Sequence, residues 1–282
     1  MLRTLKSEFF RTAATRGFIL AAAVTAALCF TVQIFYNSSN GKTYSVFEAI
    51  FSIDREIMLN NADFNPAIII SKALSGYSAM ALPVTSAFPF VFAFISERNS
   101  KNMRFVISRT GRAKYYCSKF AAAVICGELC TMLGVLLFAL TTVILFPGGQ
   151  PAEMLADYLP NGALPTVVKK ALSAFIYGAA SVLPAFFLCS FCTNPYIILC
   201  VPFLLRFILE TLFSEIINNA VSAGITDIYE KIYPFQPSSL SFIFDIRESK
   251  TLFTLIAVNV IIAAAVFAGF SVIMEKRADR GC

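Results

Sequence analysis

Residues 252–274 read LFTLIAVNVIIAAAVFAGFSVIM, an apolar run without a single charged side chain. An α-helix rises about 1.5 Å per residue, so a run of this length crosses the roughly 30 Å hydrocarbon core of a bilayer. Apolar runs of only about 10–14 residues are typical of buried helices in soluble proteins. The segment therefore predicts a membrane-spanning helix, and it decides the fold class of the chain.

Five further runs of the same kind precede it. One of them carries only Glu128, another carries Arg206 and Glu210, and the rest carry no charge. The prolines within these runs are compatible with membrane helices, where neighbouring groups satisfy the freed carbonyls. We predict an all-α membrane protein in which the 282 residues form one transmembrane domain with six spans, at 17–35, 74–95, 120–146, 171–192, 196–213 and 252–274. We interpret the first span as a retained helix rather than a cleaved signal peptide.

Composition and charge fit this class. Hydrophobic residues make up 57% of the chain and charged residues 14%, whereas soluble domains carry about a quarter charged residues. With six spans and an inner N-terminus, 14 Lys and Arg fall in the 51 inner residues and 8 in the 100 outer ones. This asymmetry predicts cytoplasmic termini. The net charge of +6 then needs no nucleic-acid partner, and we expect a multi-pass protein of a bacterial plasma membrane.

The segments outside the spans carry further patterns. The N-terminal tail has Leu2, Leu5 and Phe9 at helical spacing, which favours an amphipathic helix on the inner membrane surface; a frayed polar tail is the alternative. Outer segment 36–73 predicts a loop and a short amphipathic helix. Outer segment 214–251 is apolar enough to be re-entrant or partly buried before the sixth span.

The cytoplasmic segment 96–119 reads SERNSKNMRFVISRTGRAKYYCSK, with seven basic residues around an apolar centre. Good helix formers up to Ser108 and a break at Gly111 predict a short helix along the membrane surface, followed by re-entry. The alternative is a simple basic loop that sets topology and contacts anionic lipid.

This order of features resembles the membrane subunits of type-2 ABC exporters, the ABC transporter permeases. In that family an acidic residue ends the second span, a basic helix follows, and an Arg, a Tyr and a Lys lead into the third span. The chain matches with Glu97, with Arg109 and Arg112, with Tyr115 and Tyr116, and with Lys119. The basic N-terminal start, the six spans and the short link between the fourth and fifth spans also match.

The resemblance implies a non-catalytic permease. Residues 97–112 would be a coupling helix that docks on a separate ABC ATPase subunit, and ATP and Mg²⁺ would bind only to that partner. Two permease chains, identical or different, would move an unidentified substrate across the lipid bilayer. The implied coupling residues are Glu97, Arg98, Lys101, Arg104, Phe105, Val106, Arg109 and Arg112, and the implied membrane-interface anchors are Tyr115, Tyr116 and Lys119.

Motifs for chemistry are missing from the sequence. The chain has no histidine, which excludes Ser-His-Asp catalysis and histidine-ligated zinc, and we expect no metal site. Gly41-Lys42-Thr43 resembles the end of a phosphate-binding loop, but Tyr36 stands where that motif needs a glycine. Seven of the eight cysteines, Cys189 and Cys192 among them, lie in or beside the spans and are expected to act as small apolar residues. The alternatives to a permease are a six-helix structural or assembly protein without an ATPase partner and an intramembrane enzyme.

Three ionisable residues are expected inside the membrane, where charged groups need partners. We predict that Arg206 is neutralised by Glu210, by Glu128, or by both. Such a cluster would either line the substrate path or hold the helices together.

Overall fold

Long apolar helices form most of the fold in the computed structural model, which describes residues 2–37, 41–100, 102–148, 150–151, 155, 159, 162–222, 232–246 and 248–279. Short 3-10 turns lie at Ala62–Phe64, Tyr233–Phe235 and Pro237–Asp245. In chain order the other described elements are α1 (Leu2–Ala13), α2 (Arg16–Cys29), β1 (Gln33–Asn37), β2 (Lys42–Ser45), α3 (Val46–Ser52), α4 (Arg55–Leu59), α5 (Pro66–Ser71), α6 (Tyr77–Asn99), α7 (Asn102–Thr110), α8 (Arg112–Leu145), α9 (Ala163–Leu188), α10 (Pro195–Ser222) and α11 (Ser249–Asp279).

Among the described residues, five helices are long and apolar enough to cross a membrane: α6, α8, α9, α10 and α11. A bent pair, Thr4–Ala13 and Arg16–Cys29, gives a sixth span if it is counted as one, and its two parts meet at 60°. The prediction of an all-α membrane protein is thereby confirmed. Each of the six apolar runs lies wholly or mostly in one of these helices.

The first predicted span, 17–35, extends too far at its C-terminal end. Helix α2 ends at Cys29, and residues 33–35 belong to strand β1, which pairs antiparallel with β2. The β-branched and aromatic residues of this stretch favour a strand, so an apolar run does not continue as a helix. The near-miss phosphate motif lies in this hairpin, where Gly41 takes a φ of +62°. Helix α2 alone has 14 residues and rises only about 21 Å.

The segment between α2 and α6, where a loop and a short amphipathic helix were predicted, forms a folded cap, and it lies at the end of the bundle where α8 ends and α9 begins. Ser45 and Glu48 form a capping box that starts α3, and Asn65 with Pro66 starts α5. The cap buries its apolar side chains against α8 and α9. The shared core includes Val32, Ile34, Val46, Phe64, Ile69, Ile70, Val135, Phe138 and Tyr177.

Small residues bring α8 and α9 into close contact. A Cβ atom on Gly178 would lie 2.0 Å from Thr131 Oγ1 and 2.6 Å from the Gly127 carbonyl oxygen. The Thr131 hydroxyl donates across the interface to the Ala174 carbonyl at 2.9 Å. Small residues and hydroxyl hydrogen bonds are typical of tight helix pairs in membranes.

The segment before α11 is partly buried, as its apolar content predicts. Its 3-10 helix Pro237–Asp245 packs on α9 and α10 and buries Leu240 and Ile243. Lys170 of α9 is buried beneath this helix, where its Nζ donates to the Ser241 carbonyl at 3.0 Å and lies 4.1 Å from the Phe242 ring centroid. Residues 223–231, part of the same predicted outer segment, lie outside the described residues.

Candidate functional site

A cluster of buried charges lies at the end of the bundle opposite the cap. Lys119, near the start of α8, forms ion pairs with Glu8 of α1 and with Glu97 near the end of α6. Only 2% of Lys119, 5% of Glu8 and 3% of Glu97 is exposed. Charges at this depth are tolerated only when they are paired and hydrogen-bonded. The three residues therefore tie three separate elements together.

Two further side chains complete this cluster. The Tyr115 hydroxyl donates to Glu97 Oε1 at 3.0 Å, and Arg11 of α1 donates to Glu97 Oε2. Arg11 also donates to the Ala93 carbonyl of α6 at 3.1 Å. The Glu97 carboxylate thus accepts hydrogen bonds from Lys119, Arg11 and Tyr115. We call Glu8, Arg11, Glu97, Tyr115 and Lys119 the inner ion cluster.

Helical spacing explains how α1 contributes to the inner ion cluster. Glu8 and Arg11 are three residues apart and so share a face of the helix. This face packs against α8 and α6, and the buried Thr12 next to it donates to the Glu8 carbonyl at 3.1 Å. The bend between α1 and α2 turns α1 against the bundle end, which brings both charges to Glu97 and Lys119.

Two arginines fasten neighbouring helix ends at the same side. Arg98 Nη1 donates to the carbonyl oxygens of Cys189 and Cys192, at 3.1 and 2.9 Å, just beyond the end of α9. Arg277 of α11 donates to the Phe191 carbonyl at 3.0 Å. Carbonyls at a helix C-terminus lack helical partners and attract cations. The C-x-x-C pair therefore matters here through its backbone, and its thiols are free.

Helix α7 lies beside the inner ion cluster and packs on α6 and α8. Its Met103, Val106 and Ile107 contact the apolar core at this end of the bundle. Phe105 points away from the bundle and is 71% exposed. Arg109 and Arg112 are also exposed. The helix thus has one face on the bundle and an exposed face that includes Phe105 and Arg109.

The structure separates the predicted coupling and anchor residues into two groups. Phe105, Arg109 and Arg112 are exposed, Arg98 and Val106 are half-buried, and Lys101 and the side chain of Arg104 lie outside what the structure describes. By contrast, Glu97 of the implied coupling residues and the implied anchors Tyr115, Tyr116 and Lys119 are all buried in the bundle. Glu97 and Lys119 neutralise each other there.

The second candidate cluster lies along α10. Arg206 Nε is 3.4 Å from Glu210 Oε1, and its guanidinium lies over the Tyr177 ring at 4.7 Å. Glu210 Oε2 accepts hydrogen bonds from Gln236 Nε2 and Ser238 Oγ, both at 3.0 Å. Glu128 is half-buried on α8 and forms no ion pair with another described residue. Of the two partners predicted for Arg206, the structure brings Glu210 to it.

Comparison of the chain with models of known protein families and with curated proteins finds no match. Among the described residues, no group of three His, Cys, Asp or Glu side chains is placed to hold a metal ion. The fold and its buried charges define the class of the protein. It is a multi-pass, all-α membrane protein in which buried ion pairs join several helix ends beside a short amphipathic helix.

Proposed function

We propose that the chain is the membrane subunit of an ATP-driven ABC exporter and that α7 is its coupling helix. The observation that carries the proposal is the position of α7. It is a short helix between two membrane-length helices, with Val106 packed on the bundle and Phe105 presented outward. A partner that buries Phe105 gains contact with an element that is already fastened to the bundle. Such an exposed aromatic anchor beside basic residues suits a protein partner.

The contacts around α7 suit the transmission of force. Met103, Val106 and Ile107 join α7 to the core formed by the ends of α6 and α8. The inner ion cluster joins the same two ends to α1, and Arg98 joins α6 to the turn after α9. Close-packed interiors transmit displacement rather than absorb it. A push on α7 would therefore move the ends of several helices together.

The proposal includes six spans, cytoplasmic termini and a separate ATPase polypeptide that binds ATP and Mg²⁺. The excess of basic residues supports this orientation. The start of α8, the end of α9 and the end of α11 lie on the same side of the bundle as the inner ion cluster. This arrangement supports a chain that crosses the membrane in alternating directions. A second permease chain, identical or different, and an unidentified substrate complete the proposed transporter.

Site-specific photocrosslinking tests the proposal. A photoreactive phenylalanine analogue placed at position 105 in the full chain, in its native membrane, is expected to form an adduct with a polypeptide that photoazido-ATP labels. The matched control places the analogue at Phe51 of the cap, which is 75% exposed and should give no such adduct. If position 105 gives no nucleotide-labelled adduct and the isolated complex hydrolyses no ATP, the chain is a structural or assembly protein instead.

A further inference from the structure

A cavity of about 260 Å³ lies within the bundle, between α6, α9, α10, α11 and the 3-10 segment before α11. Most of its wall is apolar, with prolines from three of these helices. Four polar side chains reach it: Ser181, Arg206, Gln236 and Asn259. Cavities that are mostly apolar with a few placed polar groups are typical of small-molecule sites.

Two of the four polar groups have unused hydrogen-bonding atoms. Arg206 is only 9% exposed, yet its Nε and Nη2 find no hydrogen-bond partner among the described residues, and neither does Ser181 Oγ. The other two are occupied, since Asn259 donates to the Leu255 carbonyl at 2.8 Å and Gln236 donates to Glu210. Buried polar atoms without partners are rare in folded proteins and call for an explanation.

Glu210 does not satisfy Arg206, although it is the nearest acid. Its Oε1 lies 3.4 Å from Arg206 Nε and also lacks a hydrogen bond within the described part of the chain. Its Oε2 is held by Gln236 and Ser238 of the segment before α11. These two donors fix the carboxylate toward that segment, which leaves the guanidinium edge only partly covered.

The partly covered edge of Arg206 has a definite chemistry. Nε and Nη2 lie on one side of the guanidinium and present two parallel N–H donors. Carboxylates and phosphates match this fork with two oxygens, and such paired, charge-assisted hydrogen bonds are strong and directional. The apolar wall around Arg206 suits a hydrocarbon body attached to that head.

We propose that this cavity binds an apolar molecule with one anionic head, either a carboxylate or a phosphate. Arg206 holds this head through Nε and Nη2, and the Ser181 hydroxyl donates a hydrogen bond to it. Leu205 and Ile262 line the cavity and are each nearly half exposed on the flank of the bundle. The hydrocarbon body therefore has a route from the surrounding bilayer. The proposal concerns binding and stands whether or not the chain is a transport subunit.

The direction in which one substitution changes the ligand affinity separates a binding site from a structural ion pair. In a binding site Glu210 repels the incoming anion, so Glu210→Gln should raise affinity, by roughly tenfold at the separation expected for neighbouring charges. Misfolding cannot produce such a gain. The matched control is Glu128→Gln, because Glu128 is another acid within an apolar helix and does not line the cavity. This control should leave affinity unchanged.

The experiment measures retention of radiolabelled decanoate by the purified full chain in maltoside micelles, using scintillation proximity. Decanoate and decyl phosphate should compete, whereas decanol and inorganic phosphate should not. Tighter binding of decanoate than of decyl phosphate would indicate a fatty acid as the natural ligand, and the reverse order would indicate a phospholipid. Arg206→Lys keeps the charge but loses the fork and should weaken binding about tenfold, and Ser181→Ala should weaken it severalfold.

Two results would overturn the proposal. One is competition by decanol as strong as that by decanoate, which would mean that the apolar wall alone selects the ligand. The other is an affinity that stays the same or falls in Glu210→Gln, which would make Arg206 and Glu210 a structural pair.

Discussion

Removing the central cation of the inner ion cluster should be among the most damaging changes in the chain. In Lys119→Met the side chain keeps its approximate length, but two buried carboxylates lose their shared partner. Breaking a buried ion pair from one side costs about 3–5 kcal/mol. Arg11 still balances Glu97 after the change, because it donates to the same carboxylate. The uncompensated group is then Glu8 alone, so we expect a loss of about 3 kcal/mol, at the lower end of that range.

Equilibrium unfolding of the purified full chain, titrated with dodecyl sulfate in mixed micelles, measures this loss. Lys114→Met is the matched control, since Lys114 is exposed and lies five residues before Lys119 on the same helix. It should change stability by no more than about 0.5 kcal/mol. Hydrogen exchange at residues 4–13 should also accelerate in Lys119→Met, because α1 loses an ion pair to the bundle.

A second variant tests whether the charges are coupled. Glu8→Gln alone leaves Lys119 paired with Glu97, so it should cost only about 1 kcal/mol. Added to Lys119→Met, it removes the stranded carboxylate and should restore part of the stability, giving a coupling energy of about 1–3 kcal/mol. The reasoning is refuted if the two changes are additive, or if Lys119→Met is no more damaging than Lys114→Met.

Three other predictions follow from single contacts. Gly178→Ala should cost about 1–3 kcal/mol in the same titration, because its Cβ would meet the backbone of α8, whereas Gly148→Ala, with no atom within 4 Å of the added Cβ, should be neutral. Lys170→Met should speed hydrogen exchange across 237–245, since the Ser241 carbonyl loses its donor, while Lys169→Met should not; equal exchange in both would contradict the contact. Hydrogen bonds from the Ser45 backbone N–H and, to a smaller extent, from the Ser45 hydroxyl lower the pKa of Glu48. The ionised Glu48 therefore stabilises α3 above the ordinary glutamate pKa of about 4.3. This stabilisation is lost as the pH falls through the lower pKa of the folded state. The protection of the α3 amides against exchange, taken relative to the intrinsic exchange rate at each pH, should therefore fall in acid, and Glu48→Gln should remove that pH dependence.

Hydrophobic runs predicted the helices well, because a bilayer imposes one length and one composition on every crossing. The break at Gly111 was also visible in the sequence, and the structure gives this residue a φ of +83°. Arg206 and Glu210 are four residues apart, so helical spacing alone placed them together. In all three cases the information is local.

Contacts between distant segments were not visible in the same way. Glu8 and Lys119 are separated by more than a hundred residues, and periodicity does not say which helix ends meet. The resemblance implied an interface anchor at Lys119, and nothing in the sequence indicated that Glu8 and Glu97 would pair with it. The cap was missed because its strand β1 continues the apolar run of α2, and length alone did not reveal where helix gives way to strand.

The two charge clusters contain similar groups but differ in how fully those groups are satisfied. In the inner ion cluster Glu97 accepts from three donors, and Lys119 lies between two carboxylates, so the described contacts leave little for a ligand to gain there. In the α10 cluster Arg206 lines an apolar cavity, and two of its nitrogen atoms have no hydrogen-bond partner among the described residues. A satisfied network stiffens a structure, whereas an unsatisfied one costs free energy until something binds. The same chemistry therefore argues for a mechanical role at the helix ends and for a binding role within the bundle.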